Sequence, residues 1–204
     1  MPLAETEEIP LFPLNVVLFP GGPLPLRIFE PRYVDMVKRC MRDGAPFGVV
    51  AIDDGSAEAG ETAAKTFATI GTSARIVDFD LLDDGLLGIT CRGERRFRVL
   101  GHRRESDGLN VGRIAWLDPA PPDTALATLP EEHAHLRDLL QRVWPEIVEA
   151  YAGIEPRFED AGWVGARLAE ILPLQTADKQ FLLELSDPLQ RLARLSPLLR
   201  RSDA

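Results

Sequence analysis

At 204 residues, with 45% hydrophobic and 27% charged side chains, the chain can form one core-bearing domain with a helical appendage. Its net charge of −9 argues against a general nucleic-acid binder, whose affinity comes from neutralising phosphates. No run approaches the roughly 20 apolar residues of a membrane span, the opening MPLAETEEIP lacks the basic and apolar regions of a secretory leader, and Cys40 and Cys91 lack metal-ligand spacing, so a reduced, cytoplasmic protein is expected.

The stretch Pro10–Tyr33 is cut by proline and by Gly21-Gly22 into short apolar pieces. Proline cannot donate to a strand ladder, so Ile9–Leu11, Val16–Phe19 and Leu24–Phe29 are expected as short or edge strands. Glu30-Pro31 opens a helix over 31–43, because proline suits the first helical turn. Tyr33, Val34, Val37, Cys40 and Met41 make its apolar face, and Gly44 ends it. Phe47–Ile52 reads as a buried strand. The small acidic residues 53–65 read as a mobile loop. Strands follow over 69–79, 86–91, 97–101 and 109–117, with turns at Asp83-Asp84-Gly85 and Asp107-Gly108. Gly93 marks a bulge or bend. About seven short strands with one early helix suit a small, partly closed β-barrel.

DPAPPDT at 118–124 reads as a linker, giving domains over 1–118 and 128–204 joined by 119–127. Beyond it the pattern is helical. Thr128 and Glu131 suggest a capping box. Leu136, Leu139, Leu140, Val143, Ile147 and Val148 make an apolar stripe, with a kink or break at Pro145. Further helices are expected over 159–172, after Thr176 with Phe181, Leu182 and Leu185 inward, and after Pro188 with Leu189, Leu192 and Leu195 inward.

Several of these runs resemble one family. PLFPL at 10–14, Leu18-Phe19-Pro20, LRIFEPRY at 26–33, FATIGTSAR at 67–75, CRGERRF at 91–97 and LPLQTADKQFLLEL at 172–185 are similar to the Lon protease N-terminal, or substrate-binding, domain. The resemblance covers most of the chain and stops where Lon's other domains would begin, so a stand-alone form is expected. It implies an α+β fold: a PUA-like small β-barrel with an inserted helix, followed by a C-terminal helical bundle. It also implies binding of unfolded or tagged protein segments, as a substrate adaptor or holdase, with an ATP-dependent protease as candidate partner.

No catalytic apparatus is legible. There is no Gly-Lys pair for a phosphate loop and no G-x-S-x-G nucleophile, so the chain reads as a non-enzyme without cofactor. Cys40 and Cys91 read as core residues. His133 and His135, two apart, do not share a helical face and lack a third ligand, so no metal site is expected. Asp53/Asp54 and Asp83/Asp84 read as turn residues. The peptide-binding candidates are Phe29, Glu30, Arg32 and Tyr33, where the wrapped strands meet the first helix. The alternative is an RNA or anion site at Arg92, Arg95, Arg96 and Arg98, with Glu94, Arg96 and Arg98 on one strand face. PUA domains, some of which bind RNA, are similar in fold, but few aromatic residues stand near for base stacking.

Overall fold

The structure, a computed structural model, describes residues 6–52, 66–118 and 126–200. The chain divides into two compact units, Met1–Ala120 and Pro121–Ala204. The expected loop over 53–65 and most of the expected linker, 119–125, lie outside the described residues.

The first unit holds β1 (Thr6–Leu14), β2 (Pro23–Ile28), α1 (Pro31–Asp43), β3 (Phe47–Ala51), β4 (Ile70–Leu81), β5 (Leu87–Arg104) and β6 (Asn110–Trp116). They form one six-stranded sheet in the order β2-β5-β4-β3-β1-β6, and β6 pairs again with β5. Five strands therefore return on themselves, with β2 left on the edge. The return is possible because β5 is 18 residues long. β2 pairs with Leu87–Arg92, β4 with Leu87–Arg98 and β6 with Phe97–Arg104.

The sheet buries both faces. One packs on α1 through Phe12, Phe47, Val49, Ala74 and Cys91. The other encloses Ile9, Leu11, Val50, Phe97 and Ile114. Glycines make room on this second face. A Cβ on Gly71 would lie 2.3 Å from the Val49 carbonyl and 2.8 Å from the Phe97 ring, and one on Gly48 would lie 2.6 Å from that ring.

Proline proves less disruptive in β1 than its missing donor suggests. β1 runs nine residues through Pro10 and Pro13 and is not an edge. Pro10 is registered only to Val111 of β6, and Pro13 only to Val50 of β3; Leu11 alone is flanked on both sides. Each proline thus sits where one neighbour is missing. Val16–Phe19, expected as a strand, has no strand structure. It is anchored instead by side chain and turn: Thr72 Oγ1 donates to the Leu18 carbonyl at 2.6 Å, and the amides of Gly21 and Gly93 bond the carbonyls of Gly93 and Gly22 at 2.8 and 2.9 Å. β5 is one strand where two were expected, so six strands replace about seven. The bulge falls at Gly93: Thr72 faces Arg96 but Ala74 faces Gly93, and the Ser73 hydroxyl bonds both the Arg95 amide (3.1 Å) and its carbonyl (3.2 Å).

α1 starts at Pro31 and stops at Gly44, which adopts φ 63°. Its buried residues are Tyr33, Met36, Val37 and Cys40; Met36 replaces the expected Met41, which is exposed.

The second unit holds α2 (Ala134–Ile147), α3 (Ala161–Ile171), α4 (Thr176–Glu184) and α5 (Pro188–Arg200). The Thr128–Glu131 capping box does not form; Thr128 instead bridges Asp160, whose carboxylate caps α3 by accepting from the Gly162 amide at 3.0 Å. Where a kink or break was expected at Pro145, α2 continues unbroken to Ile147 and then tightens into a 3-10 turn over Val148–Tyr151. Phe181, Leu189 and Val148, expected inward, are exposed. Leu136, Leu140, Trp144, Leu182, Leu183, Leu192 and Leu195 are buried. Fully buried Arg167 pairs with Glu170 at 2.8 Å, and Glu170 accepts the Tyr151 hydroxyl at 2.9 Å.

Close packing around Gly71 has a measurable consequence. Gly71→Ala is expected to lower the urea midpoint by the equivalent of about 3 kcal/mol, at the upper end of overpacking costs. Gly101→Ala, with nothing within 4 Å of the added carbon, is expected to change it by less than about 0.5 kcal/mol.

Candidate functional site

β4 and β5 extend beyond the body as a hairpin whose Val77–Leu81 segment is exposed on both faces. Phe79 and Leu81 are 59% and 71% accessible, unusual for such large apolar side chains. Between this hairpin and edge strand β2 lies a groove of about 690 Å³, within the range of ligand sites. Pro25, Leu26, Phe79, Leu82 and Ile89 give it apolar walls. Asp78, Asp80, Asp83 and Asp84 rim it, and Arg27 reaches across to bond Asp84. Asp84 also accepts the Leu86 amide at 3.1 Å, fixing the turn. On the other side of the hairpin, a smaller hollow of about 230 Å³ lies between Phe79, Val77 and the C-terminal end of α1.

The sequence candidates at 29–33 are split by the fold. Tyr33 is 7% accessible and stacks on Phe12 at 4.0 Å, inside the core. Burial pushes its phenol above its ordinary pKa, with Arg32 acting in the opposite sense. Arg32 pairs with Glu30 at 2.5 Å, lies 4.8 Å over the Tyr33 ring and donates to the Gly108 carbonyl at 3.1 Å. Glu30 makes no side-chain cap on α1. Phe29, 68% accessible, is the member that faces outward, and it does not line the groove.

The chain matches the model of the ATP-dependent protease La (LON) substrate-binding domain over residues 8–201. It belongs to the Lon substrate-binding domain family. The crystal structure of a Lon N-terminal domain protein from Xanthomonas campestris is 39% identical, with a TM-score of 0.76, covering 94% of this chain and 98% of that one. The N-terminal domain of Mycobacterium avium complex Lon protease, at 17% identity and TM-score 0.60 over 93% and 96% of the two chains, shares the fold. Lon protease of Cytophaga hutchinsonii is 25% identical over 94% of this chain and 24% of its own length, and Lon protease 2 of Myxococcus xanthus 28% over 96% and 24%. The chain thus spans about a quarter of the length of these curated relatives.

In this Lon-type domain the arginine cluster is dispersed. Arg96 is buried and grips the Asp118 carboxylate through Nε (3.0 Å) and Nη2 (2.8 Å), while its amide donates to the same group at 2.9 Å. Such bidentate pairing is the strong form of the interaction. Arg95 donates twice to the Asp118 carbonyl, at 3.0 and 2.9 Å, and lies 4.2 Å over the Trp116 ring. Glu94 pairs with Arg75. The expected common face of Glu94, Arg96 and Arg98 is therefore not formed: Arg96 is buried, Arg98 is exposed, and Arg92 is half-buried on the groove-side half of β5.

Among the described residues no cluster of three or more His, Cys, Asp or Glu is placed to hold a metal ion. His133 and His135 stand 6.4 Å apart, centre to centre. No helix of the described residues is long and apolar enough to cross a membrane.

Both cysteines are free and buried, and burial pushes the Cys91 thiol up to about 12 and Cys40 above its usual value. Neither thiol should react with an aromatic disulfide reagent at pH 8 in the folded protein, and both should react in urea. The two tyrosines behave alike. Burial raises Tyr33 and Tyr151, the latter also facing Glu170. The folded protein therefore holds both protons longer than the unfolded chain. The phenolate absorbance should stay flat through about pH 10. Stability should be lost as pH rises from there toward the folded-state values, so unfolding and ionisation should coincide in an alkaline titration.

Proposed function

We propose that this Lon-type domain binds segments of non-native or tagged protein without acting on them chemically, serving as a substrate adaptor or holdase for an ATP-dependent protease. The observation that carries the reading is the groove between β2 and the β4–β5 hairpin. It offers apolar walls, a polar rim and exposed Phe79 on an arm that the core does not need. Membership of a substrate-binding family supports it, as does the presence of two free thiols, which suits a cytoplasmic setting. Phe29, Glu30, Arg32 and Tyr33 remain proposed contacts, Phe29 as the most exposed of them, with Arg32 paired to Glu30 and Tyr33 stacked on Phe12.

The domain assignment is proposed on the same footing. Residues 1–118 form a PUA-like barrel, supported by the return pairing of β6 to β5 around Phe97. Residues 128–204 form a helical subdomain, joined by a 119–127 linker.

Binding to RNA or anions through Arg92, Arg95, Arg96 and Arg98 is disfavoured, because Asp118 already occupies two of the four. Fluorescence anisotropy of the full chain with a labelled, unstructured peptide rich in Phe and Leu tests the reading. Saturable binding is expected, weakened at least about fivefold by Phe79→Ser, and less by Phe29→Ser. Labelled poly(U) should not bind. Tight poly(U) binding that falls steeply with salt would favour the arginine reading, and a protein that binds neither probe would refute both.

A further inference from the structure

We infer that the groove between β2 and the hairpin selects segments in which a basic residue, arginine above all, alternates with large apolar ones. The inference rests on the peptide-binding reading and narrows its substrate class. Four carboxylates, Asp78, Asp80, Asp83 and Asp84, rim the apolar walls against one guanidinium, Arg27. Of these four, Asp84 forms an ion pair, with Arg27, and among the described residues none is found for Asp78, Asp80 or Asp83. Asp78 and Asp80 each use one oxygen on the next residue's amide, at 2.9 and 2.7 Å, which fixes the carboxylate beside the groove and leaves its second oxygen for a ligand.

The Arg27–Asp84 contact displays the recognition chemistry internally. It spans the groove from the β2 wall to the hairpin turn, 57 residues away in sequence. A guanidinium presented by a guest would find the same kind of partner, a carboxylate, at Asp78, Asp80 and Asp83, and its planar donors suit carboxylates. The period of an extended guest matches. In an extended chain, side chains alternate between faces. One set of side chains can therefore enter the apolar groove, or the smaller hollow beyond Phe79, while basic residues of the other set meet the rim. The net charge of −9 acts in the same direction at long range, drawing basic segments and repelling acidic ones.

The test uses the full chain and three labelled peptides of equal length and equal Phe/Leu content, with Arg, Ser or Glu at every second position. Affinity should fall in the order Arg, Ser, Glu, with about tenfold between the extremes at low salt, and the spread should narrow as salt rises. The double variant D78N/D80N keeps the local amide bonds and should narrow the spread at least about threefold while still binding the Ser peptide. Equal binding of the Arg and Glu peptides by the wild-type protein, or an unchanged spread in a D78N/D80N protein with native circular dichroism, would overturn the inference and leave general peptide binding intact. Failure of all three peptides to bind would overturn both. If the double variant does not fold, the single variants D78N and D80N with native circular dichroism decide the matter: a narrower spread in either supports the inference, and an unchanged spread in both overturns it, because the net charge of the chain favours the Arg peptide wherever it binds.

Discussion

Phe97 is the side chain around which the first unit closes. Its ring sits on the inner face of the returning sheet with Ile9, Leu11, Val50 and Ile114. That place exists only because Gly48 and Gly71 carry no side chain there. A ring of five strands is narrow, and a large aromatic in its centre must be matched by nothing opposite. Strand β5 supplies both the aromatic and the length to close the ring. The bulge at Gly93, plugged by the Ser73 hydroxyl, bends that strand between its two roles.

The same strand separates the two signs of charge on the unit. Before the bulge, β5 forms the floor between β2 and β4, where aspartates gather at the hairpin. After it, Arg95 and Arg96 turn to Asp118 and lock the chain as it leaves β6. Arg95 and Arg96, which in sequence look like part of a binding surface, are thus engaged in holding the chain end of the unit. Residues that look like ordinary turn and strand, Asp78 to Asp84, make the open surface. A buried guanidinium with one carboxylate partner is costly to leave alone, so its position is dictated by the fold.

What the sequence disclosed follows from how local the physics was. Helix α1 was legible because Pro31, the apolar spacing and Gly44 act within the segment itself; only Met36 and Met41 exchanged places, since both border the stripe. The prolines of β1 misled because their effect depends on which neighbours flank each residue, and those lie about 40 and 100 residues away in the chain. Val16–Phe19 has strand-like composition, but the Leu18 carbonyl accepts from the Thr72 hydroxyl and the Phe19 carbonyl from the Gly22 amide, contacts that no local pattern displays. Of the 29–33 candidates, Phe29 is the most exposed and Tyr33 the most buried, because Tyr33 obeys the helical stripe that the sequence also displayed. The groove was missed altogether. Its walls come from segments about 50 residues apart, and the alternation of aspartate with Val77, Phe79 and Leu81 passes for a half-buried strand until the hairpin is seen to project.

Edge strand β2 carries Pro23 and Pro25, and no other strand among the described residues pairs with its outer side. A sheet margin rich in amide donors invites a second molecule to continue it. Here two of the six residues of the margin lack the donor, which weakens the border as a template for a second copy of the chain. A fold that exposes Phe79 and Leu81 beside that border thereby makes it harder for its stickiness to become a fibre.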